Sequence, residues 1–459
     1  MLSAMASRLP SGGIRARYQK ILQELPQDED PEELLCNYPL PERIQKFFDE
    51  FVGKYGHSSI QEQTGDPAIY VEEVSWFTNW LLFDSPLVSG QEFSTRAVQK
   101  KDWPTSKEGF HYKETHYEGC TIEYKSSLHE EFVEVTNVVF CNNANPTLPF
   151  DVLMRTRSYH PKLLELHRGW LEVFEAEVEW WNEHLSHKDN REALGIADKE
   201  PFRPALDRAR WALPGTISLG ACFTSNVRER ARALRDGALI GGGEEQEVWA
   251  DIVGGYLEAL PGISKHAFRE APPDYQLPGH LKSILCPVEG VGGGMTEVTL
   301  HNNMIPGAVT PFTRKRVKTY ADPWLNHETR VSLRIECSLG VARDWHRHRT
   351  LYPWHLGVVR ESLGGAISID RHYSPKSPKG KEALPELLAR SQSVHDDFLG
   401  RGDIQRAALA LPMGTKVVVS GSGGLRDALY MLELRAMAHG KNFEYEDQAL
   451  EALAKLGAS

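Results

Sequence analysis

Ala342-Arg343-Asp344-Trp345-His346-Arg347-His348-Arg349 crowds arginine and histidine into one short run in the second half of the chain. It reads as the end of a helix, where the outward-pointing carbonyls and the helix dipole favour cations, so a capping role stands beside any ligand-binding one. Successive helical residues point about 100° apart, so Arg347, His348 and Arg349 can reach three different groups. A second string, Gly90-Gln91-Glu92-Phe93-Ser94-Thr95-Arg96, lies in the first half. There Gly90 lets backbone amides approach an anion, Ser94 offers a hydroxyl, and Arg96 offers a planar fork of donors. Glu92 is the odd carboxylate: it can pair with Arg96, or it can orient a base or a site arginine.

The run at Arg347-His348-Arg349 resembles the helix-ending Arg-His-Arg of flavin-dependent thymidylate synthases, and Glu92, Ser94 and Arg96 resemble the Glu-x-Ser-x-Arg nucleotide loop of that family. Within one family module the loop follows the cluster, yet here they lie in opposite halves. Aligning Glu92 on the loop glutamate puts Asp84-Ser85-Pro86 where the basic cluster should stand, while Arg349 is followed by Thr350-Leu351-Tyr352 with no such loop. Further along, Pro214 stands as far before Arg228 as Pro412 stands before Arg426. Arg426 opens a segment that runs to Leu434-Arg435 and His439, similar to the family's arginine-rich helix, and the first-half counterpart of Arg435 is Gly237. These complementary losses read as two diverged copies of one module.

The expected fold is therefore α+β, two diverged copies of an antiparallel sheet flanked by helices. Residues 1–30 read as a polar mobile segment, 31–260 as the first module, 261–320 as a connection and 321–459 as the second module. An insertion at about 98–160, with alternating β-formers, reads as a β-hairpin or small sheet. Apolar spacing predicts helices over 41–55, over Val71 to Phe83, and from Leu163 to Leu185 with Trp170, Phe174 and Trp181 as core. Residues 374–384 read as a basic loop, and Gly421-Ser422-Gly423-Gly424 as a turn before a helix.

The 63 acidic against 52 basic residues give a net charge of −11, which argues against a general binder of nucleic acid or anionic membrane. Any phosphate site must be local. No apolar run reaches the roughly 18 residues of a membrane span, and the start of the chain lacks the apolar stretch of a signal peptide, so a cytoplasmic protein is expected. Six scattered cysteines without Cys-x-x-Cys spacing read as thiols, not as a disulfide framework. A dinucleotide fingerprint of the Gly-x-Gly-x-x-Gly type is missing, and His111, His116 and Cys120, or His346, His348 and His355, lack metal-ligand spacing, so no metal is expected.

What the resemblance implies is chemistry: FAD reduced by NADPH, a one-carbon unit from methylenetetrahydrofolate, and methylation of C5 of dUMP or a close relative without an enzyme cysteine nucleophile. It implies Arg347, Arg435 and Glu92 as catalytic residues, and Gln91, Glu92, Ser94, Arg96, Arg210 and Arg435 around the nucleotide. It assigns His57, Asn226, Arg228, Arg347, His348, Arg349, Arg426 and His439 to the flavin, with Gln63 standing where the family has a further histidine. Arg435 and His439 are four residues apart and would share a helix face. Family members of single-module length are homotetramers, so a double-length chain is expected to dimerise, with a composite site between its copies. Asp344 replaces the glutamine expected before the basic cluster and Gly424 replaces an asparagine. A flavin- or nucleotide-binding protein that has lost catalysis is the alternative from another class.

Overall fold

The computed structural model describes residues 46, 49, 68–92, 110–117, 120–126, 160–196, 202–217, 219–240, 249, 252–254, 275–301, 329–360, 365–437 and 442–458. The expected helix over 41–55 and residues 1–30 lie outside these, apart from Lys46 and Asp49.

In the first half, strand β1 (Ala68–Val74) leads directly into helix α1 (Trp76–Phe83) and then strand β2 (Ser89–Glu92). Sequence periodicity ran strand and helix together over Val71 to Phe83; the structure divides them at Ser75. Extended backbone as far as Val74 pairs with a later strand, and the Ser75 hydroxyl accepts the Thr78 amide at 3.0 Å to start the helix. All of α1 is buried, which is why its pattern carries no polar stripe.

The hairpin expected in the insertion is present as antiparallel β3 (Phe110–Tyr117) and β4 (Cys120–Ser126). Helix α2 (Pro161–Ser186) matches the expected amphipathic helix, with Pro161 in its first turn and Trp170, Phe174 and Trp181 buried. Helices α3 (Lys188–Ala193) and α4 (Phe202–Ala209) and a 3-10 turn (Arg210–Ala212) follow, then β5 (Leu219–Thr224) and α5 (Val227–Ile240). Strand β5 lies between β1 and β2, antiparallel to both.

The stretch read as a connection carries α6 (Gly279–Lys282), β6 (Pro287–Val288) and β7 (Thr296–His301). Both strands join the second sheet, so much of this stretch is integral to the second half. That half continues with β8 (Arg330–Ser338), α7 (Leu339–His346), β9 (His355–Val359), α8 (Pro378–Gly400), α9 (Ile404–Leu409), β10 (Lys416–Gly424), α10 (Leu425–Met437) and α11 (Phe443–Ala458). Its strand order is β6-β9-β10-β8-β7, all neighbours antiparallel except β6 with β9. The fold is α+β. Among the described residues no helix is long and apolar enough to cross a membrane.

Two local expectations are corrected. Gly421 to Gly424 is the end of β10, not a turn: a Cβ at Gly421 or Gly423 would come within 2.7 Å of the Leu351 or Thr350 carbonyl, so glycine is what lets the loop after α7 lie on the strand. The basic segment 374–384 is not wholly a loop, because Ser377 caps α8 by accepting the Gly380 amide at 3.0 Å.

The halves share one apolar cluster that runs from Val74 to Leu456. They are also joined through the backbone. Met413 donates its amide to the Leu213 carbonyl at 2.9 Å, and Gly414 donates to Trp211 at 2.8 Å. On the flank, Trp170 of α2 donates to the Ser391 hydroxyl of α8 at 2.9 Å. Glu177 of α2 accepts both the Ser377 amide, at 2.8 Å, and its hydroxyl, at 2.7 Å.

Candidate functional site

Helix α7 begins much as α1 does, with a buried serine, Ser338, accepting the amide three residues on at 3.2 Å. It ends at His346, and Arg347 is the C-cap. The basic cluster therefore follows the last turn instead of occupying it. The chain then turns back: the His348 amide donates to Trp345 O at 3.0 Å, and the Trp354 indole holds the His348 carbonyl at 3.1 Å. This fixes which way Arg347, His348 and Arg349 leave the helix.

Arg435 of α10 comes to the same place. Its Nε donates to His348 Nε2 at 2.9 Å, and another guanidinium nitrogen donates to the Asp344 carbonyl at 2.9 Å. Acting as acceptor at Nε2, His348 is neutral with its proton on Nδ1. Burial pushes its pKa well below the usual imidazole value, and the positive charges of Arg435, Arg347 and Arg349 push it the same way. The first half contributes Arg210, whose guanidinium meets Asp344 Oδ2 at 3.2 Å with almost no exposure. Burial is the largest influence and opposes its charge, but Asp344 together with Tyr373, Asp207 and Glu444 outweighs it and raises the pKa above the ordinary arginine value. Asp344 Oδ1 also faces Arg347 at 3.8 Å.

Arg349 differs from its neighbours. Burial alone lowers its pKa, with no carboxylate to compensate, and its Nη1 is shielded from solvent without a hydrogen-bond partner among the described residues. A guanidinium in that state is costly unless an anion meets it. The donors present suit a phosphate.

The structure thus gathers Arg210, Arg347 and Arg435, from both halves, around Asp344, with His348 bonded to Arg435 and Arg349 following it in the chain. The remaining expected site residues fare differently. Asn226 caps α5 by accepting the Glu229 amide at 2.9 Å, Arg228 is exposed, and Arg426 is half-buried in the first turn of α10. Gln91 and Glu92 lie in β2, paired with Cys222 and Ala221, and their side chains are not described. His57, Ser94, Arg96 and His439 lie outside the described residues.

The end of α1 carries the opposite charge. Asp84 is its C-cap and is 3 % exposed. Asp84 Oδ2 meets His280 Nε2 of α6 at 2.7 Å, while His346 Nε2 lies 3.8 Å from Oδ1 and its ring stacks on Trp80 with centroids 3.8 Å apart. Arg232 donates to the Asp84 carbonyl at 2.7 Å. Burial raises the carboxyl pKa, but His280 and His346 outweigh it and hold the group at about 2. Gly237 sits under Trp249, so close that any side chain there would collide with the indole. Sequence reading missed the His280 contact, for nothing local links residues 196 positions apart.

A cavity of about 360 Å³ opens on the second sheet, lined in part by Ser332, Arg334, His355, Ser420 and Ser422; the arginines at the end of α7 do not line it.

No protein-family model matches the chain, and no curated protein matches it. Among solved structures, the chain is similar to one described as a UMP/dUMP methylase PolB from Streptomyces cacaoi bound with 5-Br UMP. The similarity has 12% identity, 38% of this chain and 90% of that one covered, and a TM-score of 0.22. A TM-score that low carries no argument.

Proposed function

We propose that the chain is an FAD-dependent methyltransferase acting on C5 of a uracil nucleotide, dUMP or a close relative, with methylenetetrahydrofolate as one-carbon donor and NADPH as reductant. Arg349 carries this reading: a half-buried cation with no carboxylate partner among the described residues, two positions after Arg347, on a chain whose net charge is −11. Two diverged copies of one module are part of the proposal. It is supported by the same local order, strand, serine cap, eight-residue buried helix, strand, at β1-α1-β2 and at β8-α7-β9, and by β5 and β10 each lying between the other two.

The donor set fits the phosphate groups of FAD, with Arg347 and Arg349 as holders, His348 behind them, and Arg426, His439, His57, Asn226 and Arg228 as further proposed contacts. FAD, when bound, would supply the hydride that completes the methyl group. Arg435 is proposed to face the nucleotide, where a positioned guanidinium stabilises negative charge developing on a uracil oxygen. Neutral His348 accepts from its Nε and so keeps the fork aimed. Arg210 acts through Asp344, since its side chain is enclosed. Gln91, Glu92, Ser94 and Arg96 are proposed to complete the nucleotide loop, and two chains to form a dimer.

The test is anaerobic turnover of dUMP with methylenetetrahydrofolate, NADPH and FAD. Formation of the methylated nucleotide, lost in Arg347→Ala and Arg435→Ala with unchanged thermal unfolding, is the expected result; failure to bind FAD overturns the reading. A second reading, binding without catalysis, is favoured by Asp344, which engages Arg210 and faces Arg347, lowering the charge left for a ligand. Tight FAD binding with no methyl transfer would select it.

A further inference from the structure

At the opposite end of α7 from the arginines, three side chains meet that the proposed reaction does not use. Asp370, His372 and Glu444 each place one ligating atom within 4.8 Å of the other two. Asp370 and Glu444 are fully enclosed, at 1 % and 0 % exposure. Two carboxylates so close in a shielded place repel each other unless something positive lies between them.

The local hydrogen bonds account for only part of this group. Glu444 opens α11 and braces the start of α7, accepting the Ser338 amide at 2.5 Å and its hydroxyl at 2.7 Å. Asp370 Oδ1 accepts the His372 amide at 3.0 Å and lies 2.6 Å from His372 Nδ1. Asp370 Oδ2 is buried and has no hydrogen-bond partner among the described residues. Asp447, one turn after Glu444, approaches the far ring nitrogen, with its Oδ2 3.6 Å from His372 Nε2. At that distance the carboxylate attracts the ring electrostatically, and a short movement would give the Nε2 hydrogen bond that holds a metal-binding histidine in place.

We infer that Asp370, His372 and Glu444 form a binding site for one divalent metal ion, with Asp447 orienting the histidine from behind. One imidazole and two carboxylates suit Zn²⁺ or Mn²⁺ better than a soft ion. The cation would replace the Nδ1 to Oδ1 hydrogen bond, engage the unpartnered oxygen of Asp370 and join α11 to the segment before α8. Its role is structural, because it ties the N-terminal end of α7 while Arg347, His348 and Arg349 stand at the other end. The inference is independent of the nucleotide reading.

The experiment is calorimetric titration of the chelator-treated full-length chain with ZnCl₂ and, separately, MnCl₂, with thermal unfolding recorded alongside. One ion per chain is expected for at least one of the two metals, with a raised Tm. Asp370→Asn and His372→Gln should each weaken binding by about 100-fold or more and abolish the Tm rise, while the exposed His301→Gln leaves both unchanged. If neither metal binds the chain, or if Asp370→Asn binds as the native chain does, the inference is overturned. Should Asp370→Asn fail to fold, His372→Gln decides by the same criterion.

Discussion

The ends of α1 and α7 make an instructive pair. Each helix has eight buried residues, starts at a capping serine and ends beside a strand of its own sheet. Past α7 come Arg347, His348 and Arg349, with Arg435 reaching in from α10; past α1 come Asp84, Ser85 and Pro86, with Gly237 at the position proposed to match Arg435. The same order of elements thus carries opposite charge at the two helix ends. After α7, Arg349 has no carboxylate partner among the described residues. At α1 the Asp84 carboxylate is met by His280 and by His346, the latter from α7 itself. On the proposed reading one end receives an anion, whereas the carboxylate at the other is met by the protein's own histidines.

The sharpest way to break this comparison is Asp84→Ala. Removing one partner from a buried polar pair costs on the order of 3–5 kcal/mol, and chemical denaturation should show a loss of that size. A change under about 0.5 kcal/mol would mean that the end of α1 is not held by Asp84. Next comes Arg349→Ala, expected to weaken binding of FAD or of dUMP by about 10- to 100-fold, the worth of a charge-assisted hydrogen bond of about 1.5–3 kcal/mol. Unchanged affinity for both would remove the reason to call the end of α7 an anion site.

A pH series sharpens the same contrast. Because the folded Asp84 carboxyl sits at about 2, below its unfolded value of 3.8, its contribution is complete above pH 4 and is lost as pH falls through 2. The native chain should lose about 2 kcal/mol relative to Asp84→Asn across that interval; parallel stability curves for the two would contradict the assignment. The smallest effect is expected for the exposed Arg228→Ala, within about 0.5 kcal/mol in stability. Its effect on FAD affinity then tells whether this arginine belongs to the flavin site.

Legibility followed contiguity. Helix α2 was readable because Trp170, Phe174 and Trp181 repeat at helical spacing over a long segment. The cluster after α7 was readable because Arg347, His348 and Arg349 are adjacent in the chain. Helix α1 blurred into β1, since a strand with buried residues and a wholly buried helix both read as apolar, and only Ser75 marks the boundary. Strand β10 hid behind glycines, whose purpose, close approach of the 350–354 loop, lies in another segment. The pairing of Asp84 with His280 and the group of Asp370, His372 and Glu444 depend on segments far apart in sequence, and no local pattern encodes them.

Trp249 over Gly237 bears on how such a chain can change. Giving the α1 end a basic cluster like that of α7 would require an arginine at Asp84, another at Gly237, and somewhere else for the indole to go. Arginine at Asp84 alone confronts His280 and His346; arginine at Gly237 alone strikes Trp249. On the proposed two-copy reading, the indole over Gly237 fills the space that the second copy gives to Arg435, so the two ends cannot be made alike by a single substitution.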